Sequence, residues 1–385
     1  MIEYYVYMNA KDPGPMLVSP RAPADDLTQR LRDIHELIRC RYAFVDRVAV
    51  ALYEPSTDLL KTFVSSNTDE VLLKRYEVTL SSVPSLEALA RTHQCRMVGD
   101  MAESFHAPSK HTSWLIEQGY HASYTTPIFQ GQELAAFLFY DSKLANVFVP
   151  EVAHFLDSFS ELISHLFLLQ RRVVRSMVGT IQIAVGLARI RDLETGHHLE
   201  RMAQYSRLMG QLLAEKYSLT DEYIEYLLLF APLHDIGKVG IPDSVLLKPE
   251  KLDDDQWGVM ENHVEIGEKI VEKISQELNV RGDLAHRVMH NIVATHHERG
   301  DGSGYPRGLK MADIPLEGRI VAVADVYDAL CNRRPYKEPW SEAAVKQELR
   351  REVARGRLDH DCVEALLEAQ EARLRIGQKF ADIAA

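Results

Sequence analysis

The sequence predicts an α+β N-terminal domain, a long connecting helix and an all-α C-terminal domain, and three observations carry that prediction. Apolar residues alternate with polar ones around Val48–Val64 and Tyr124–Tyr140, each stretch folded back on itself by a turn. From Pro150 the apolar residues step by three and four without a break, the spacing of one long helix. Beyond about Ile190 the pattern is helical almost throughout, with one loop-rich interruption at Glu298–Pro315. The 385 residues suffice for two or three domains.

Residues 1–22 contain Pro13, Gly14, Pro15 and Pro20, which predict a short strand and then an irregular arm. A domain over residues 23–150 follows. Within it, Leu27, Leu31, Ile34, Leu37 and Ile38 recur at helical spacing between Asp25 and Arg41. Val48, Val50 and Leu52 then alternate, Glu54–Asp58 turns the chain, and Leu60–Val64 returns as the second strand of a hairpin. A helix over about Ser109–Gln118 precedes a second hairpin, Tyr124–Phe129 and Leu134–Tyr140, closed at Gly131. This order resembles GAF-type sensory domains, and the resemblance implies an unidentified small ligand or none. His93, Cys95, His106 and His111 read as ordinary surface or core residues rather than haem or metal ligands.

Residues 151–190 form the connecting helix, which Pro150 opens. Val152, Phe155, Phe159, Leu162, Leu166, Leu169 and Val173 make an a/d seam, which predicts a parallel homodimer. A second apolar row, Leu156, Ile163, Phe167, Val174 and Val178, broadens the face.

Composition narrows the function. With 44 basic against 56 acidic side chains the formal charge is −12, unsuited to a duplex nucleic-acid binder. A small anionic substrate remains compatible if a metal supplies positive charge. No run approaches the roughly 18–20 consecutive apolar residues of a membrane span. Cys40, Cys95, Cys331 and Cys362 are far apart, and the expected compartment is a reducing cytoplasm.

Eight of the 16 histidines fall between positions 197 and 297. The adjacent pair His234-Asp235 is expected late in an apolar helix, and such a pair offers a directional nitrogen and a carboxylate able to bridge two cations. Glu194 and His198 are four apart and would share a helical face. His263, the pair His296-His297, and Asp325 follow. Asp325 lies in the apolar run Val321-Ala-Val-Ala-Asp325, where a carboxylate must be paired or metal-bound. Eight donors exceed the needs of one tetrahedral ion, so two or three divalent metals are expected. Histidine and carboxylate donors without cysteine suit iron, with manganese as the alternative.

The stretches Glu194-Thr-Gly-His-His198, His234-Asp-Ile-Gly-Lys238, His263-Val-Glu-Ile-Gly267, His296-His-Glu-Arg-Gly-Asp-Gly-Ser-Gly-Tyr-Pro306, Ala324-Asp-Val-Tyr-Asp-Ala-Leu330 and Arg334-Pro-Tyr-Lys337 resemble the HD-GYP subfamily of HD-domain phosphohydrolases. The resemblance assigns residues 191–385 to a metal-dependent domain that opens cyclic di-GMP to pGpG and often on to GMP. It implies Glu194, His198, His234, Asp235, His263, His296, His297 and Asp325 as metal ligands, with Glu194 marking a third metal. It further implies Lys238 and Asp235 in catalysis, and Tyr305, Arg334 and Lys337 against the substrate. Alternatives within reach are another cyclic dinucleotide or other nucleotide as substrate, or a slow-turnover cyclic di-GMP receptor.

Two departures stand out. Gly300 replaces a bulkier residue, which would loosen the loop or widen the pocket, and Asn332-Arg333 replaces a common Ser-Asp pair. His286 and His290 read as packing or solvated residues, Trp257 and Met260 as core or groove walls. Glu298 and Arg299 would pair with each other or orient the neighbouring histidines.

Overall fold

The computed structural model describes residues 26–69, 73, 75–105, 109–189, 197–278, 280, 282–332 and 339–381. The N-terminal arm, His106, Glu194, Arg334 and Lys337 lie outside the described residues.

The first half of the chain is a six-stranded antiparallel sheet flanked by helices. Its strands are β1 (Arg47–Glu54), β2 (Leu59–Asn67), β3 (Glu77–Thr79), β4 (Arg96–Val98), β5 (Ala122–Gln130) and β6 (Glu133–Ser142), in the order β3-β2-β1-β6-β5-β4. Both expected hairpins are present, with Glu54 paired to Leu59 and Gln130 to Glu133. Helix α1 (Leu27–Arg41) begins where Asp26 accepts from the Gln29 amide at 2.7 Å, satisfying an otherwise orphaned donor. Short helices α2 (Pro84–Thr92), α3 (Met101–Ser104) and α4 (Lys110–Glu117) lie between β3 and β5, and Ser109 caps the last of them.

Strand alternation divides the apolar side chains between two cores. Leu138 and Tyr140 of β6 face a cluster with Leu31, Ile38, Leu156 and Phe167, whereas Phe137 and Phe139 face Leu60, Val83 and Leu86. His93 stacks on Phe129, and half-buried His111 sits against Phe139 with its pKa pushed down to about 3, first by desolvation and then by Arg47 and Arg96. Among the described residues neither belongs to a metal-like cluster.

Helix α5 (Pro150–Arg189) has 40 residues and is about 60 Å long. Most of its burial comes from the second apolar row rather than the a/d seam: Leu156, Ile163 and Phe167 enter the sheet core with Val152 of the seam, and Val174 enters the helical core beside Met177. On the seam, Leu162 and Leu169 remain 46% and 58% exposed. By length and composition, Pro150–Thr180 is long and apolar enough to cross a membrane, a correction to the reading from uninterrupted apolar runs. Its apolar side chains instead join the two cores.

The second half is helical: α6 (His198–Leu213), α7 (Asp221–Phe230), α8 (Asp243–Leu246), α9 (Asp254–Glu261), α10 (His263–Glu277), α11 (Leu284–Thr295), α12 (Leu316–Cys331), α13 (Glu342–Ala354), α14 (His360–Glu368) and α15 (Gln370–Lys379). Met202, Phe230, Val271, Ile292, Val293 and Val323 are among its fully buried side chains.

The two halves meet through charged and polar groups. Lys61 reaches Glu225 at 3.2 Å, Arg207 pairs with Glu77, and the Arg75 amide donates to Asp221 at 3.1 Å. At the centre is Glu222, which has no solvent exposure. It accepts from Thr28 of α1 at 3.1 Å, Gln170 of α5 at 2.8 Å and Tyr226 of α7 at 3.0 Å. Burial raises its pKa above the usual glutamate range. An acid raised in the folded state contributes stability fully below its unfolded pKa, and that contribution is lost as pH rises through the folded value. Glu222→Gln removes the loss while keeping an acceptor. In urea titrations, this variant should be more stable than wild type near neutral pH, with the gap closing as pH falls into the ordinary glutamate range. Glu222→Ala leaves three donors without their acceptor and should destabilise by about 1–3 kcal/mol.

Candidate metal centre

The expected donors come from five places in the helical half. His198 opens α6, His263 opens α10, His296 and His297 follow α11, and Asp325 lies on α12. His234 and Asp235 are not on a helix as their apolar context suggested. They occupy the step between the 3-10 turns Ala231–Leu233 and Ile236–Gly240, after α7 has ended. Pro232 cannot continue the α-helical hydrogen-bond ladder, so the chain turns and both side chains point inward together.

Two groups form there. Ligand atoms of Asp235, His263, His296 and His297 lie within 4.8 Å of one another, as do those of His198, His234 and Asp325. Asp235 joins them. Its Oδ2 is 3.2 Å from His234 Nε2, and its Oδ1 is 3.2 Å from His263 Nε2 and 3.7 Å from His296 Nε2.

The tautomers follow from the outer contacts. His234 Nδ1 donates to the Ala231 carbonyl at 2.9 Å, His263 Nδ1 to the Met260 carbonyl at 2.8 Å, and His296 Nδ1 to the Ile292 and Val293 carbonyls at 3.1 Å. A carbonyl only accepts, so each neutral ring keeps its proton on Nδ1 and turns an Nε2 lone pair inward. Burial lowers the His296 and His297 pKa values further, which keeps those rings neutral. Burial alone would raise the Asp235 carboxyl, yet the Lys238 ammonium beside it holds it well below the usual carboxylate range. Lone pairs and a carboxylate thus converge with little hydrogen between them. Such a donor set fits divalent cations.

Lys238 Nζ stands 2.7 Å from Asp235 Oδ2. Tyr305 lies along His297 with ring centroids 4.7 Å apart. Its loop is held by Glu298, which is buried and accepts from the Arg307 and Leu309 amides at 2.8 and 2.9 Å. Glu298 therefore pairs with neither Arg299 nor the histidines. Two glycines are required by close approach. A Cβ at Gly237 would stand 1.7 Å from the His263 carbonyl oxygen, and one at Gly304 would stand 2.2 Å from the Arg299 nitrogen. Gly300 does not open the pocket: the room a side chain would need is filled by Met311 and the Gly356 carbonyl. His286 and His290 face Glu272 and Glu268 at 3.4 and 3.5 Å, outside the centre.

Sequence reasoning missed Asp328 and Arg201. His198 Nδ1 donates to Asp328 Oδ2 at 2.7 Å, and Arg201 grips the same carboxylate at 2.6 and 3.0 Å. Asp328 lies one turn beyond Asp325 on the same apolar helix, so the argument applied to Asp325 would have found it. Asp328→Asn should weaken metal affinity about 10–100-fold, read by titration calorimetry, through misorientation of His198. Asp328→Ala should also cost about 3–5 kcal/mol in urea unfolding, because buried Arg201 loses its counter-charge.

Residues 187–362 match the HD domain family model. A probable cyclic di-GMP phosphodiesterase of Vibrio cholerae is 45% identical over 203 residues, covering 51% of this chain and 45% of that protein. A 3'3'-cGAMP-specific phosphodiesterase of the same organism is 36% identical over 242 residues, covering 63% of this chain and 42% of that protein. The chain thus spans less than half the length of these relatives. A solved GAF domain/HD domain protein from Geobacter sulfurreducens aligns at 13% identity with a TM-score of 0.31, covering 37% of this chain and 91% of that structure. The stretch of this chain that is similar to the HD domain, residues 187–362, contains the buried histidines and carboxylates described above.

Proposed function

We propose that this chain is a metal-dependent phosphodiesterase that hydrolyses cyclic di-GMP to pGpG, GMP or both, regulated by its N-terminal domain. The observation that carries the proposal is Asp235, whose two oxygens face separate groups of inward-turned nitrogens. We assign His198, His234 and Asp325 to one metal, and His263, His296 and His297 to another, with Asp235 between them. Glu194 would add a third ion, and Arg334 and Lys337 would contact phosphate. Iron, or manganese in its place, suits these donors. Such ions supply a water acidic enough to attack near neutral pH and offset charge on the phosphate oxygens. Lys238 keeps Asp235 ionised and presents donors to a non-bridging oxygen, while Tyr305 walls the substrate beside His297. The relative named for 3'3'-cGAMP supports a second reading, in which that dinucleotide is the preferred substrate.

We divide the chain into an arm (1–22), a GAF-like sensory domain (23–150), a connecting helix (151–190) and the phosphodiesterase domain (191–385). The exposure of Leu162 and Leu169 on one seam supports a homodimer along α5. Free thiols at Cys40, Cys95, Cys331 and Cys362 suit a reducing cytoplasm.

Anaerobically reconstituted protein should carry two or three ions per chain and turn over cyclic di-GMP, with pGpG and GMP resolved by chromatography. Asp235→Ala should lose both metal and turnover. Full metal content and full rate in that variant would overturn the assignment. Lys238→Ala should lower kcat roughly 10–1000-fold at near-normal metal content. Light scattering should show a dimer that charges placed at Leu162 and Leu169 convert to monomer.

A further inference from the structure

A cavity of about 220 Å³ is lined in part by His296, His297 and Asp325 and in part by a wall of residues with no assigned role in holding metal. We propose that this wall, formed by Trp257, Glu261 and Arg299, is a nucleobase subsite built for guanine. The inference rests on the phosphodiesterase reading and names the residues that would choose among its substrates.

Helix α9 buries no side chain, so burial does not explain its sequence. A capping box at Asp253 and Gln256 fixes where it starts. Trp257 and Glu261 are four apart and project from one face into the cavity. Trp257 lines the cavity while leaving 51% of its surface in water, where an indole serves as a stacking surface for a flat ring. Glu261 is half-buried, and Arg299 reaches the cavity from the segment after His297. Among the described residues neither side chain makes a hydrogen bond or ion pair, although they have opposite charge and line the same space.

Guanine has the complementary pattern. Its N1–H and N2 amino group both donate, which matches a carboxylate with two free oxygens. Its O6 and N7 both accept, which matches a guanidinium fork. Adenine presents an acceptor at N1, so Glu261 would oppose it with negative charge and leave its own lone pairs unmet. A cyclic dinucleotide with its phosphate at the metals would thus place one base between Trp257 and these two side chains.

The test uses the reconstituted full chain with cyclic di-GMP, 3'3'-cGAMP, cyclic di-AMP and the base-free diester bis(p-nitrophenyl) phosphate. Wild type should favour the guanine substrates, and Glu261→Gln should shrink the cyclic di-GMP to cyclic di-AMP ratio of kcat/KM roughly 10–100-fold, mainly through KM. Arg299→Met should shift the ratio in the same direction. Trp257→Ala should raise KM for every dinucleotide by about 10-fold, with the ratio kept. As a readout independent of turnover, GMP should quench tryptophan fluorescence at lower concentration than AMP, and Trp257→Phe should abolish the difference. Unchanged ratios in both Glu261→Gln and Arg299→Met, or a wild-type preference for adenine, would overturn the subsite. Failure of wild type to hydrolyse any diester would sink the phosphodiesterase reading instead, and the GMP-against-AMP quench would still decide the base subsite.

Discussion

An electrostatic conflict organises the helical half of this protein. Three imidazoles present lone pairs to an ionised Asp235, in a buried space where like-charged and lone-pair groups repel strongly. Nothing in that arrangement is stable by itself. It persists because backbone carbonyls at Ala231, Met260 and Ile292 fix the far side of each ring, and because Asp328 and Arg201 fix His198. The apolar helices contribute rigidity, and the donors contribute an unmet demand for positive charge. Lys238 meets part of that demand, and cations would meet the rest.

That constraint also explains local sequence choices. Gly237 lets the 3-10 turn press against the start of α10, so that Asp235 and His263 can face each other. Gly304 lets the Tyr305 loop fold over the segment after His297, and Glu298 spends both carboxylate oxygens on that loop's amides. The loop-rich interruption is thus a braced wall beside the site rather than a tether.

Much of this was legible beforehand, and the parts that were not share a cause. The hairpins, α1, α5 and the donor set follow from period, turn residues and carboxylates set in apolar runs, all local in sequence. His234 and Asp235 were placed on a helix because periodicity is blind to Pro232 closing one. On α5 spacing shows two apolar rows but not which one the sheet covers, and folding buries the row with Leu156, Ile163 and Phe167. Glu222 lies in the first turn of α7 with no sequence neighbour to explain its burial, and only folding brings Thr28 and Gln170 to it. Long-range polar pairing has no period to read.

Helix α5 has one more implication. Leu156 and Val174 sit on the same unbroken helix yet belong to different cores, and Gln170 between them binds the carboxylate that opens α7. Stability is therefore not partitioned along the domain boundary. A fragment cut between the halves would carry away a helix that completes the other's interior, and each piece would expose surface that the whole chain hides. One helix thus supplies interior side chains to both the sheet and the helical bundle.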